Sequence, residues 1–122
     1  MRVFNKQIAT DVPLNADYTS AYVPLKSIVL YTISANITGT PSGSIYLEAS
    51  ADPETNDSVP LSTAPPTNWA VIADSAFTVS AAGVSMWNVQ AVGYNYVRVV
   101  YVDGSGGTSA ATMDIVFNGK GI

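Results

Sequence analysis

Hydrophobic and polar residues alternate with period two along most of the chain, and no segment sustains a helical period. The clearest strand is SIVLYTISANIT over 27–38, which sets Val29, Tyr31, Ile33, Ala35 and Ile37 on one face. Its other face turns polar towards Ser34, as expected where a strand passes from core to surface. The turn GTPSG leads into SIYLEAS (44–50), with Ile45, Leu47 and Ala49 inward and Tyr46 and Glu48 outward, so these two strands are expected to pair as a hairpin. A second hairpin is expected where NYVRVVYV (95–102) is joined through DGSGG to SAATMDIVFNG (109–119).

Between these pairs, ADPETNDSVPLSTAPPTN (51–68) has little periodicity and holds four of the seven prolines, which reads as a long loop. Shorter strands follow at WAVIA (69–73), FTVSA (77–81) and SMWNV (85–89). With RVFNKQIA and TSAYVPL at the front, the pattern predicts about eight strands at spacings of roughly 8–12 residues in an all-β, single-domain antiparallel β-sandwich, jelly-roll-like. One domain spans 1–122, with 1–33 read as an N-terminal arm or edge strands. The expected core is Val29, Tyr31, Ile33, Ile45, Leu47, Val97, Val99, Met113, Ile115 and Phe117.

In 95–102, Val97, Val99 and Tyr101 share one face and Tyr96, Arg98, Val100 and Val102 the other. Both faces are largely apolar, so the strand is expected to be central or covered on both sides. A guanidinium on such a face needs a partner, and Glu48, Asp74 and Asp114 are the candidates. Arg98 is then either a structural residue whose stem packs over apolar neighbours or a contact to another subunit or ligand.

Composition narrows the chemistry. Charged residues are 11% of the chain, against about 25% in an average domain, so the surface is mostly neutral. Five basic residues, Arg2, Lys6, Lys26, Arg98 and Lys120, are scattered against nine acidic ones, and no stripe is available to neutralise phosphates; nucleic acid is not an expected partner. Absence of cysteine and histidine removes disulfides, thiolate chemistry and the usual zinc ligands. No run is apolar enough to span a bilayer, and MRVFNKQIATDV lacks the apolar core of an export signal, so synthesis in a host cytoplasm is expected.

Carboxylates are the remaining candidates for catalysis. Asp52, Glu54 and Asp57 share one loop and Glu48 a neighbouring strand, but a hydrolytic pair requires a fixed separation and one carboxyl with a raised pKa. DPETND offers oxygen ligands in alternation, yet it lacks the glycine and the distal glutamate of a calcium loop. Neither an enzyme nor a bound metal or cofactor is expected. Trp69, Trp87, Tyr94 and Tyr96 are candidate contact residues alongside Arg98. Each tryptophan alternates with Val or Ile as a core indole does, whereas Tyr94 and Tyr96 are expected to be exposed.

The successive segments ANITGTPSGSIYLEASADP, NWAVIADSAFTVSAAGVSMWNV and GYNYVRVVYVDGSGGTSAATMDIVFNGKG resemble small β-sandwich virion proteins encoded by bacteriophages. The resemblance runs over roughly residues 34–121 and rests on a G-x-L-x-A-S-x-D-like strand, a W-x-x-I-x-x-S-like strand, V-R-V-V-Y with a Gly-rich turn, and a terminal K-G. It implies a capsid decoration, vertex, minor coat or fibre-associated structural subunit located in the virion, with no catalytic residues to transfer. Homo-oligomerisation and contact with other capsid proteins are the implied partnerships. The alternative is a receptor- or glycan-binding adhesive module that takes a host surface glycan.

Overall fold

A computed structural model of the chain describes residues 2–53, 65–90 and 92–121. It is all-β, with ten strands among the described residues in two antiparallel sheets that face each other: β1 (Arg2–Pro13), β2 (Tyr18–Thr19), β3 (Val23–Pro24), β4 (Ile28–Thr38), β5 (Gly43–Ser50), β6 (Ala70–Val71), β7 (Phe77–Val79), β8 (Gly83–Gln90), β9 (Tyr96–Asp103) and β10 (Thr112–Gly121). The first sheet has the order β1-β10-β4-β8. In the second, β9 and β5 are central; β2 and β3 line up along the free side of β9, and β6 and β7 along that of β5. The count rises above the expected eight or so because TSAYVPL splits into two short strands, β2 and β3, whereas the stretch after the long loop gives the three strands expected of it, β6, β7 and β8.

Neither expected hairpin forms. Strand β4 pairs with β10 and β8, whereas β5 pairs with β9; β9 and β10 likewise lie in opposite sheets. The connection after β9 shows why. The Asp103 carboxylate accepts hydrogen bonds from Ser105 N (2.9 Å), Ser105 Oγ (2.6 Å) and Gly107 N (3.0 Å), while Gly106 and Gly107 take positive φ values of 68° and 86°. These bonds wind 104–111 into a wide corner rather than a two-residue turn. Gly104 N donates to Ser42 O (2.7 Å), which ties this corner to the 39–42 connection between β4 and β5.

The core fills the space between the sheets with the residues that alternation selects: Tyr31, Ile33, Ile45, Leu47, Val97, Val99, Met113, Ile115 and Phe117 are all buried. Tyr31 and Phe117 stack at 5.4 Å between centroids. A fully buried side chain of this size contributes roughly 1.5–3 kcal/mol. Val29 departs from the expected core at 41% exposure: the β4–β10 register shifts between Lys120 and Gly121, opposite Leu30 and Ile28, and Ile28 rather than Val29 packs against the core. Residues 1–33 are no detached arm over their described part: β1 pairs with β10 along its whole length, and Leu14, Val23 and Leu25 are buried in the core.

Candidate functional site

The outward face of the second sheet gathers the candidate contact residues. The register β5–β9 sets Glu48 directly opposite Arg98, and Ala49 opposite both Val97 and Ala70, so the next position along β6, Trp69, falls beside the same pair. Arg98 Nε lies 2.8 Å and Nη2 2.7 Å from Glu48 Oε1, and the guanidinium carbon sits 4.0 Å from the centroid of the Trp69 ring. Of the three carboxylates that the sequence offered, the register selects Glu48. Asp114 lies in the other sheet and accepts a bond from Asp11 N (2.7 Å) at the bulge in β1, and Asp74 is in an exposed turn with φ +60°.

Next to this pair is an open hollow of about 680 Å³ lined by Ala49, Asp52, Asn68, Trp69, Ala70 and Tyr94, among others. Trp69 Nε1 donates to Pro66 O (3.2 Å), which orients the indole at the rim. Asp52, one of its lining residues, acts as a clamp: its carboxylate accepts from Thr67 N (2.7 Å), Asn68 N (3.1 Å) and Asn68 Nδ2 (2.9 Å), closing the ends of the long loop. The Asn68 side-chain amide, followed by the two backbone amides, holds the Asp52 carboxyl below the usual carboxylate range. Ser105 and Gly107 lower Asp103 in the same way. Both displaced carboxyls are pushed towards the ionised form, the opposite of what a general acid needs. Glu54 and Asp57 lie outside the described residues.

The candidates do not all converge here. Trp87 is a core residue: it is buried, its Nε1 donates to Ser75 O (2.7 Å), and Phe77 packs on it at 5.4 Å. Tyr94 and Tyr96, expected as an exposed pair, are not one. Tyr94 is half-buried at the hollow, its hydroxyl 2.5 Å from that of Tyr31, and Tyr96 is only 8% exposed with Tyr22 set edge-on against it at 5.4 Å. The segment between β2 and β3 thus covers part of the face that alternation alone leaves open.

Two further surface features lie outside these residues. Lys6 and Lys26, distant in sequence, meet at a hollow of about 320 Å³ with Phe4, Val23, Pro24 and Ile28. On the opposite edge, Val84 and Met86 of β8 are 60% and 57% exposed. The second was legible, since GVSMWNVQ is apolar at both alternating sets of positions. Among the described residues no group of three or more potential ligands is placed to hold a metal ion, and no helix is long and apolar enough to cross a membrane.

Fold and surface define a class: a small two-sheet β-sandwich with an aromatic and guanidinium patch on one face and apolar edges. The chain is similar in structure to the SPBc2 prophage-derived protein YomS, with a TM-score of 0.58 at 9% identity over 97% of this chain and 92% of that one, a likeness of fold. Weaker similarities are to a protein of the Bacillus endospore appendages, disulfide-linked pili (TM-score 0.43, 9% identity, 98% and 88% covered), and to a chitosan-binding module of a Paenibacillus chitosanase/glucanase (TM-score 0.47, 18% identity, 94% and 92% covered). No protein-family model and no curated protein matches the sequence.

Proposed function

We propose that this chain is a non-enzymatic structural subunit of a bacterial-virus particle, a capsid decoration, vertex or minor coat protein that works without a cofactor and in contact with copies of itself and other capsid proteins. The observation that carries the reading is the surface: large apolar side chains stand exposed at both outer strands of the first sheet, Val3 and Phe4 on β1 and Val84 and Met86 on β8. Apolar groups placed along sheet edges favour association over free solution. The sandwich shared with a prophage-derived protein is compatible with this role. Mass spectrometry of density-purified virus particles released by cells that carry the gene tests it. The chain should be present in many copies, and particles that lack it overturn the reading.

A second reading, an adhesive module for a host surface glycan, is favoured by the hollow where Trp69 and Tyr94 meet Asn68 beside Arg98. An indole at the rim of an open polar hollow can stack on a sugar ring. Binding to a glycan array that is lost in Trp69→Ala would replace the first reading with this one.

A further inference from the structure

The two edges of the first sheet are built differently. Along β1 the register with β10 shifts twice, between Gln7 and Ala9 and between Ala9 and Val12, and Asp11 adopts φ +50°. Bulges and a charged side chain such as Lys6 are the devices that keep an edge strand from pairing further. Strand β8 has none of them. Among the described residues it is paired only with β4, in unbroken register from Leu30 opposite Gln90 to Ile37 opposite Gly83. It contains no proline, and no charged residue occurs between Asp74 and Arg98. Of the residues lining the two hollows beside it, Asp74 alone is charged.

An edge of this kind presents a row of backbone N–H and C=O groups, and the group that satisfies such a row is another strand. The flanking side chains narrow the occupant further. Val84 and Met86 call for apolar residues on the facing strand, and the uncharged run excludes any recognition by ion pairing. The chain carries a net charge of −4, so copies repel each other except where they meet on a charge-free surface, and β8 lies in the longest such stretch of the sequence. We propose that β8 pairs antiparallel with β8 of a second copy across a two-fold axis perpendicular to the sheet, joining two four-stranded sheets into one continuous sheet; this rests on the reading of the chain as an assembling subunit.

The symmetry is self-consistent. A two-fold perpendicular to the sheet preserves its faces, so the outward residues Val84 and Met86 of both copies meet in one apolar strip, and each new backbone hydrogen bond is repeated by its mate. The blunted β1 edges stay on the outside, which closes the assembly as a dimer rather than a fibre.

Sedimentation of the full chain over a wide concentration range is the test, together with amide hydrogen exchange. The wild-type chain should dimerise, with β8 amides gaining protection as concentration rises. Met86→Lys and Val84→Lys, each placing a charge at an exposed site of the edge, should weaken the dimer by about tenfold or more. Val3→Lys on the β1 edge should leave it unchanged. A monomer at every concentration overturns the proposal, as does a dimer that survives both β8 substitutions in folded protein, or one that Val3→Lys disrupts. Should both lysine variants fail to fold, the concentration dependence of β8 exchange in the wild type decides. Particle composition is read independently: a chain found in particles but not paired through β8 sinks the edge alone, whereas a β8 dimer absent from particles sinks the virion role alone.

Discussion

Replacing Arg98 by alanine removes three things at once: the bonds to Glu48, the stacking on Trp69, and the apolar stem that covers part of β9. The side chains of Arg98 and Glu48 are 26% and 16% exposed, so the pair lies between the open surface, where ion pairs are worth about 0–1 kcal/mol, and the interior, where removing one partner costs about 3–5 kcal/mol. We take about 1.5 kcal/mol for the pair and about 0.5–1 kcal/mol for the guanidinium on the indole. Loss of about 2–2.5 kcal/mol should lower the melting midpoint of a chain of this size by about 8–10 °C. Arg98→Lys keeps the charge but not the planar fork or the stacking surface, and should recover less than half of that. The decisive assay is a double-mutant cycle with Glu48→Gln, followed by urea denaturation. A coupling of about 1–1.5 kcal/mol is expected for groups in direct contact. Additivity within about 0.3 kcal/mol would refute the reasoning and leave Arg98 acting through its stem alone.

Tyr94→Phe strips the fully buried Tyr31 hydroxyl of its 2.5 Å partner and should cost about 1–3 kcal/mol in urea unfolding; adding Tyr31→Phe should restore part of the loss, because no orphaned hydroxyl then remains. Burial first, and the Tyr94 hydroxyl second, push the Tyr31 phenol well above its ordinary value. The native state therefore keeps a proton that the unfolded chain releases above about pH 10, so stability should be steady below that pH and fall as pH rises beyond it, with Tyr31→Phe flattening the decline. At Gly43 an added Cβ would run into Val102 O and lie 2.7 Å from the Tyr101 hydroxyl, so Gly43→Ala should lose about 2–4 kcal/mol in thermal unfolding, whereas Gly93→Ala, with open space around it, should lose little.

Period-two alternation was sufficient to determine the all-β class and most of the core, because whether a strand residue faces inward depends on its own position and that of its neighbours two residues away. That logic holds for Ile45, Leu47, Val97, Val99, Met113, Ile115 and Phe117. It fails at Val29, where a shift in the β4–β10 register breaks the alternation and Ile28 packs against the core instead, and at Tyr96, which Tyr22 covers from a segment remote in sequence.

Which sheet a strand joins is not a local property. β4 and β5, like β9 and β10, have the pattern and the Gly-rich linkage of a hairpin, and either arrangement would bury the same inward set. The choice between them is made by Asp103 winding the 104–111 corner, by Gly104 N reaching Ser42 O, and by β10 finding two partners, β1 and β4, that lie far from it in the chain. The candidate site follows the same division. The sequence by itself determined that Arg98 required a partner, because a guanidinium on a largely apolar strand face has to be satisfied. Only the tertiary structure decided for Glu48 and Trp69, since the choice depends on a register between β5 and β9 that is set by packing across the whole sandwich.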